Sequence, residues 1–242
     1  MGGMDEGSHD AITRLSRPEA SAAVTGIGWR YVLGEFRTEV LTGSLPLAAD
    51  VAGRAAALPH AEGHLRLDVR SDRLVLSLQT AAIGWVTARD VELAHRISEV
   101  VGEFRLTTQS GVDDSGDSGS GRSVQVLEIG IDALDHLSIR PFWKAVLGYV
   151  DDPGAKGQPN ALVDPVGQGP AIWFQQMDAP RPQRNRIHFD VSVPHDEAHQ
   201  RIQATIAAGG KLVYDAEAPA FWVLADPEGN EACITTWQGR DG

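Results

Sequence analysis

The chain has 242 residues, 42% of them hydrophobic, and a formal net charge of −12. That length accommodates two cores of about 100 residues each, and no apolar run approaches the roughly 18 residues of a membrane helix, so no membrane partner is expected. Acidic side chains outnumber basic ones at both ends, 14 to 11 over residues 1–108 and 16 to 9 over residues 124–242. This balance excludes the basic face that nucleic acid requires.

Residues 1–10 are Gly-rich and acidic, without the basic start or apolar stretch of a signal peptide, and read as a disordered tail. The chain's one cysteine, Cys233, rules out an intrachain disulfide. It fits a reducing, cytoplasmic setting. A first domain is expected over residues 11–108. Ser16 to Val24 predicts a helix, with Ser16 as N-cap, Pro18 in the first turn and Glu19 at the third position. Trp29–Leu33 and Glu35–Leu41 predict two strands turning at Gly34. Pro46–Leu58 predicts an Ala-rich helix with Leu47, Val51 and Ala55 on one face. Leu65–Val69 and Arg73–Gln79 alternate in apolar character around Ser71-Asp72, a hairpin signal. Thr87-Ala-Arg-Asp90 then opens a helix whose core stripe is Val91, Ala94, Ile97 and Val101. The expected order is α-β-β-α-β-β-α.

Residues 109–123 are dominated by Gly, Ser and Asp and read as a flexible linker, because such a segment buries too little to offset its ordering entropy. Beyond it, over residues 124–242, one pattern occurs twice about 60 residues apart. The first copy has a strand at Val124–Ile131, a helix at Ser138–Leu147 and a strand at Ala171–Gln176. The second has a strand at Arg186–Val193, a helix at Asp196–Ala208 and strands at Lys211–Tyr214, Ala220–Ala225 and Glu231–Trp237. Both helices run into glycine, the residue that best accepts a left-handed cap. Two paired βαβββ modules, forming a curved sheet around a cleft, are the expected architecture. The fold class is α+β throughout.

Three segments of the second domain carry a resemblance. They are Asp132–Asp135 with Pro141-Phe-Trp-Lys-Ala-Val-Leu-Gly148, Asn185-Arg-Ile-His-Phe-Asp190, and Leu224-Ala-Asp-Pro-Glu-Gly-Asn-Glu231. In order and spacing they resemble the glyoxalase-like branch of the vicinal oxygen chelate superfamily. The resemblance implies a cleft that binds a small molecule, in many members through a divalent ion. It places the ion's ligands at Glu128, His188 and Cys233, a set suited to zinc or iron(II). The position of Cys233 usually holds Glu. Read from the residues alone, His188 is equally a hydrogen-bonded cleft residue and Cys233 a small buried hydrophobe. Trp143, Trp173, Phe174, Gln175, Phe221, Trp222 and Trp237 lie on the elements expected around the cleft, and alternation turns about half of such residues inward. Trp173, Gln175, His188, Phe221 and Trp222 are the candidate contacts to a planar or apolar ligand.

The first domain's element order, with Gly28-Trp-Arg-Tyr-Val-Leu-Gly34 and Gly84–Ala94, resembles pterin-4a-carbinolamine dehydratase. That family uses a His-His-Pro motif and a Thr-His pair, imidazoles being suited to proton transfer near neutral pH. Here the corresponding positions read Gly63-His64-Leu65 and Thr80-Ala81. The resemblance leaves His64 as the acid–base group and keeps Asp90, which helix capping also explains.

Three functional expectations follow. The first is a dehydratase-like and glyoxalase-like fusion acting on a pterin or other planar heterocycle, a carbon–oxygen lyase of the 4a-hydroxytetrahydrobiopterin dehydratase type. The second is a non-catalytic binding or sequestering protein. The third is a metal-dependent glyoxalase or dioxygenase-type enzyme. A homo-oligomer is expected in each case.

Overall fold

The structure is a computed structural model that describes residues 13–110, 124–154, 161–180, 187–236 and 238–239. The tail at 1–10, linker residues 111–123, Asn185, Arg186 and Trp237 lie outside the described residues. The chain forms two compact units, residues 1–126 and 127–242.

In the first unit α1 (Arg17–Thr25) starts where the local chemistry dictates: the Ser16 hydroxyl accepts from the Glu19 amide, and the Glu19 carboxylate accepts from the Ser16 amide. This reciprocal box satisfies two amides that the first helical turn leaves without partners. Then follow β1 (Arg30–Val32), β2 (Glu35–Leu41), α2 (Leu45–Ala56), β3 (Leu65–Val69), β4 (Arg73–Leu78) and α3 (Ala88–Glu103). The strands form one antiparallel sheet in the order β1-β2-β4-β3.

Period-two alternation turns Phe36, Val40, Leu74, Leu76 and Leu78 toward the helices, where they meet Val24, Val51, Ala55, Ala94 and Ile97. The core stripe of α3 differs from the expected one. Leu93 and Val100 are buried, while Val91 is only packed against the core's edge. The wider stripe reflects a helix covered by both a sheet and α1 and α2.

The expected linker begins later than its composition implies. Gln109 exchanges two 2.9 Å backbone hydrogen bonds with Glu39, and Ser110 accepts from the Val124 amide. Residues 109 and 110 therefore extend the first unit rather than leave it. Backbone pairing, which needs no apolar side chain, offsets the ordering cost there.

The second unit contains β5 (Glu128–Ala133), α4 (His136–Leu147), β6 (Val150–Asp151), β7 (Ala161–Val163), β8 (Ala171–Gln176), β9 (Phe189–Ser192), α5 (Ala198–Ala207), β10 (Lys211–Tyr214), β11 (Phe221–Ala225) and β12 (Glu231–Thr235). The duplication is visible in the topology. One sheet runs β5-β8-β7-β6 and the other β9-β12-β11-β10. In each, the module's first strand lies parallel to its fourth and the remaining pairs are antiparallel. The short β6 and β7 carry too few residues for an alternation signal.

A single curved sheet was expected; the described strands form two four-stranded sheets instead. β5 and β9 each pair on one side, with β8 and β12, and the modules join through apolar packing. Phe142 and Trp143 of α4 share one core with Ile202 of α5 and with Trp222, Leu224 and Ile234 of the second sheet. Among the described residues no helix is long and apolar enough to cross a membrane.

Candidate functional site

Strand parity decides which side chains of the second unit are available for chemistry. On β12, Ala232 and Ile234 point into the core. Cys233 therefore lies on the opposite face, beside Asp190 of β9 and Val223 of β11. On β9, Phe189 and Val191 pack against the core, so Asp190 shares the face of Cys233. His188, two residues earlier, falls on the same side. The result is a compact group in which a ring nitrogen of His188, a carboxylate oxygen of Asp190 and Sγ of Cys233 all lie within 4.8 Å of one another. Nε2 of His188 is 3.5 Å from Oδ1 of Asp190. The two polar side chains are exposed, and Cys233 is 6% exposed at the floor.

The donor set fits a divalent ion. Four-coordinate zinc with ligands at 2.0–2.3 Å sets its ligand atoms about 3.5 Å apart. The imidazole–carboxylate spacing has that value, and the sulfur lies within 4.8 Å of both. Imidazole, carboxylate and thiolate together suit zinc better than calcium or magnesium.

Two of the three expected ligands, His188 and Cys233, are thus brought together, and Glu128 is not with them. It stands at the start of β5, in the other sheet, opposite Ala171. Burial, with the charge of Asp152 adding to it, holds its carboxyl above the ordinary value of 4.5. Asp190 takes the third place. Its sequence signal was available: two residues beyond His188 on a strand is the same face.

The aromatic candidates separate by the same rule. Trp173 lies on the open face of β8, beside Gly130 of β5, and Gln175 lies on that face beside Asp132. Phe221 stacks on Tyr214 with ring centroids 6.0 Å apart. Trp222, expected in the cleft, is buried on the helix side of its sheet, with its ring edge against His199. One residue of register separates it from Phe221 and sends it to the opposite face. A cavity of about 630 Å³ opens between the modules, lined among others by Gly130, Asp132, Trp143, Met177, His188 and Glu231.

In the first unit His64 and Asp90 meet. Nδ1 of His64 is 2.8 Å from Oδ1 of Asp90, which is wholly buried. The other carboxylate oxygen accepts from the Thr80 hydroxyl at 2.7 Å, the Thr87 hydroxyl at 2.9 Å and the Thr87 amide at 2.7 Å. Asp90 therefore caps α3 and orients His64 at the same time. Thr80, which the sequence reading aligned with the Thr-His pair, and Thr87 complete the cluster.

Comparisons with known proteins bear on the second unit. Residues 128–235 match the glyoxalase-like domain family. No curated protein matches the chain. Among solved structures, the chain is similar to hypothetical protein SA1046 from S. aureus, at 15% identity over 48% of this chain and 95% of that one, with a TM-score of 0.38. It is also similar to a glyoxalase/bleomycin resistance protein/dioxygenase family enzyme from Burkholderia phytofirmans PsJN, at 19% identity over 45% of this chain and 95% of the other, TM-score 0.38. A glyoxalase-related enzyme from Fulvimarina pelagi shares 19% identity over 48% and 88% of the respective chains, TM-score 0.35.

Residues 128–235 form a glyoxalase-like domain of the vicinal oxygen chelate superfamily. The family match does not extend to the first unit, so the dehydratase-like reading of residues 11–108 rests on sequence motifs alone.

Proposed function

We propose that the C-terminal unit is a metal-dependent enzyme of the glyoxalase or dioxygenase type acting on a small molecule, with its ion held by His188, Asp190 and Cys233. The observation that carries this reading is the convergence of three donors from neighbouring strands on one open sheet face. The ion, when bound, supplies a Lewis acid with a coordination position left for a substrate oxygen. The protein's own groups do the rest. Ile129, Trp143 and Met177 give the neighbouring cavity, which His188 borders, an apolar lining.

The test is calorimetric titration of chelator-treated protein with zinc. One equivalent is expected to bind, with binding lost in His188→Ala and Cys233→Ser and kept in Glu128→Gln. Absence of a stoichiometric site would reject the reading. An assembly of two copies belongs to the same proposal and is read by light scattering.

A second reading, a carbon–oxygen lyase acting on a 4a-hydroxypterin in the first unit, is favoured by the His64–Asp90 contact of 2.8 Å. A carboxylate on Nδ1 leaves Nε2 as the atom that exchanges a proton with a ligand. Stopped-flow decay of the carbinolamine, faster than buffer and returned to the buffer rate by His64→Ala, is the expected result.

A further inference from the structure

β3 (Leu65–Val69) closes one side of the first unit's sheet, and among the described residues it pairs only with β4, without a bulge. The hydrogen bonds flanking it show which groups its other edge presents. The Gln79 amide donates to the His64 carbonyl and the Arg70 amide to the Arg73 carbonyl, so His64 and Arg70 turn their peptide groups toward β4. Alternation gives Arg66 and Asp68 the same direction. The amides of Leu67 and Val69 and the carbonyls of Leu65, Leu67 and Val69 therefore face outward. The Leu65 amide is held within its own chain by the Ala61 carbonyl at 2.8 Å.

Proteins commonly blunt such an edge with lysine, proline or a bulge. This edge has none of them. Leu65 and Leu67 pack against the core on the helix side, and Val69 is 38% exposed. Arg66 and Asp68 stand on the other face, their side chains each about half exposed. Arg66 is also bonded to the buried Glu35 of β2, which fixes its guanidinium before any partner arrives.

Opposite charges two residues apart make this edge self-complementary. An antiparallel pair with its two-fold axis at Leu67 sets Arg66 of each copy across from Asp68 of the other. These are positions without backbone bonds, where facing side chains come closest. Leu67 then exchanges backbone bonds with its counterpart, and each Val69 amide donates to the Leu65 carbonyl across the axis. Moving the axis by one residue opposes arginine to arginine or aspartate to aspartate, which is repulsive. Larger shifts run past the ends of a strand of five residues.

We infer that β3 is a homodimer interface, through which two copies of the chain join their first-unit sheets into one antiparallel sheet about a two-fold axis at Leu67. This gives the two-copy assembly a definite contact, and it rests on neither the metal reading nor the lyase reading.

Sedimentation equilibrium of the full-length protein reads the mass. Asp68→Arg sets arginine across from arginine, and Val69→Pro removes an outward amide that its own sheet does not use. Each is expected to halve the mass of the wild-type assembly, with association at least about tenfold weaker. Arg66→Glu is expected to dissociate alone and to reassemble when mixed with Asp68→Arg, because every cross-strand pair then joins opposite charges. Far-ultraviolet circular dichroism establishes that each variant is folded. A monomeric wild type, unchanged mass in Asp68→Arg and Val69→Pro, or a mixture of the two folded charge variants that stays apart would each overturn the interface. Zinc titration of the same preparation separates the proposals: zinc bound by a monomeric wild type removes the interface alone, and a dimer that dissociates as expected without binding zinc removes the metal site alone.

Discussion

The indole N–H of Trp143, in the helix of the first module, donates a 3.0 Å hydrogen bond to Oδ2 of Asp226, in the turn that joins β11 to β12 in the second. Asp226 is 2% exposed. It also accepts from the amides of Glu228 and Asn230 and from the Asn230 side chain, all at 2.8–2.9 Å. Glu228 of the same turn accepts from the amides of Leu134 and Asp135 just before α4. The Asp-Pro-Glu-Gly-Asn turn is thus a clasp between modules. A buried carboxylate is tolerated because donors meet it on several sides.

Removing one donor should cost less than removing the acceptor. Trp143→Phe is expected to destabilise the C-terminal unit by about 1–3 kcal/mol, the cost of leaving a buried polar group short of a partner. Asp226→Ala should cost about 3–5 kcal/mol, because the turn and the inter-module bond go together. Urea unfolding followed by tryptophan fluorescence checks the order; equal effects would refute the clasp.

Asp90 serves helix and histidine at once, so its loss should be felt by both. Asp90→Ala is expected to lower the stability of the N-terminal unit by about 2–4 kcal/mol, since Thr80, Thr87 and His64 all lose their acceptor. Proton-exchange NMR should also show the His64 ring N–H exchanging faster. A loss of stability without that change would mean that Asp90 is a cap and nothing more.

Gly28 has φ +77°, and a Cβ there would come within 2.0 Å of the Thr108 carbonyl oxygen. Both the left-handed backbone and the close approach demand glycine. Gly28→Ala is expected to cost about 2–4 kcal/mol in the N-terminal unit and nothing measurable in the other. A scan with two resolved melting transitions reads this directly.

Glu128 gives a pH dependence of definite sign. Burial and Asp152 raise its carboxyl above 4.5, so the folded state disfavours the ionised form. Its contribution is intact below the ordinary value and is lost as pH rises through the raised one. Glu128→Gln removes that loss. The variant should melt with the wild type at about pH 4 and above it at about pH 8. The transition to follow is the one that Trp143→Phe moves. A constant difference across this range would show that Glu128 is not strained by its charge.

What could be read from the sequence followed periodicity and punctuation. The Ser16–Glu19 and Thr87–Asp90 boxes, the β3–β4 hairpin and the repeat of the second unit all declare themselves locally. His188 and Cys233 were singled out by the family resemblance and not by any local pattern. Asp190 carried a local signal, two residues beyond His188 on one strand face, but its place beside Cys233 depends on a parallel pairing that no local window contains. Trp222 was misplaced for the same reason: a one-residue register decides whether it meets ligand or core. The separation into two sheets was also out of reach, since it turns on which edges of β5 and β9 are paired.

Cobalt(II) reports directly on a metal centre made by His188, Asp190 and Cys233. Titration of metal-free protein with cobalt should produce a sulfur-to-cobalt charge-transfer band that saturates at one equivalent. The band should vanish in Cys233→Ser and His188→Ala, weaken in Asp190→Asn, and stay unchanged in Glu128→Gln. Saturation without a sulfur band, or a band that survives in Cys233→Ser, would contradict it.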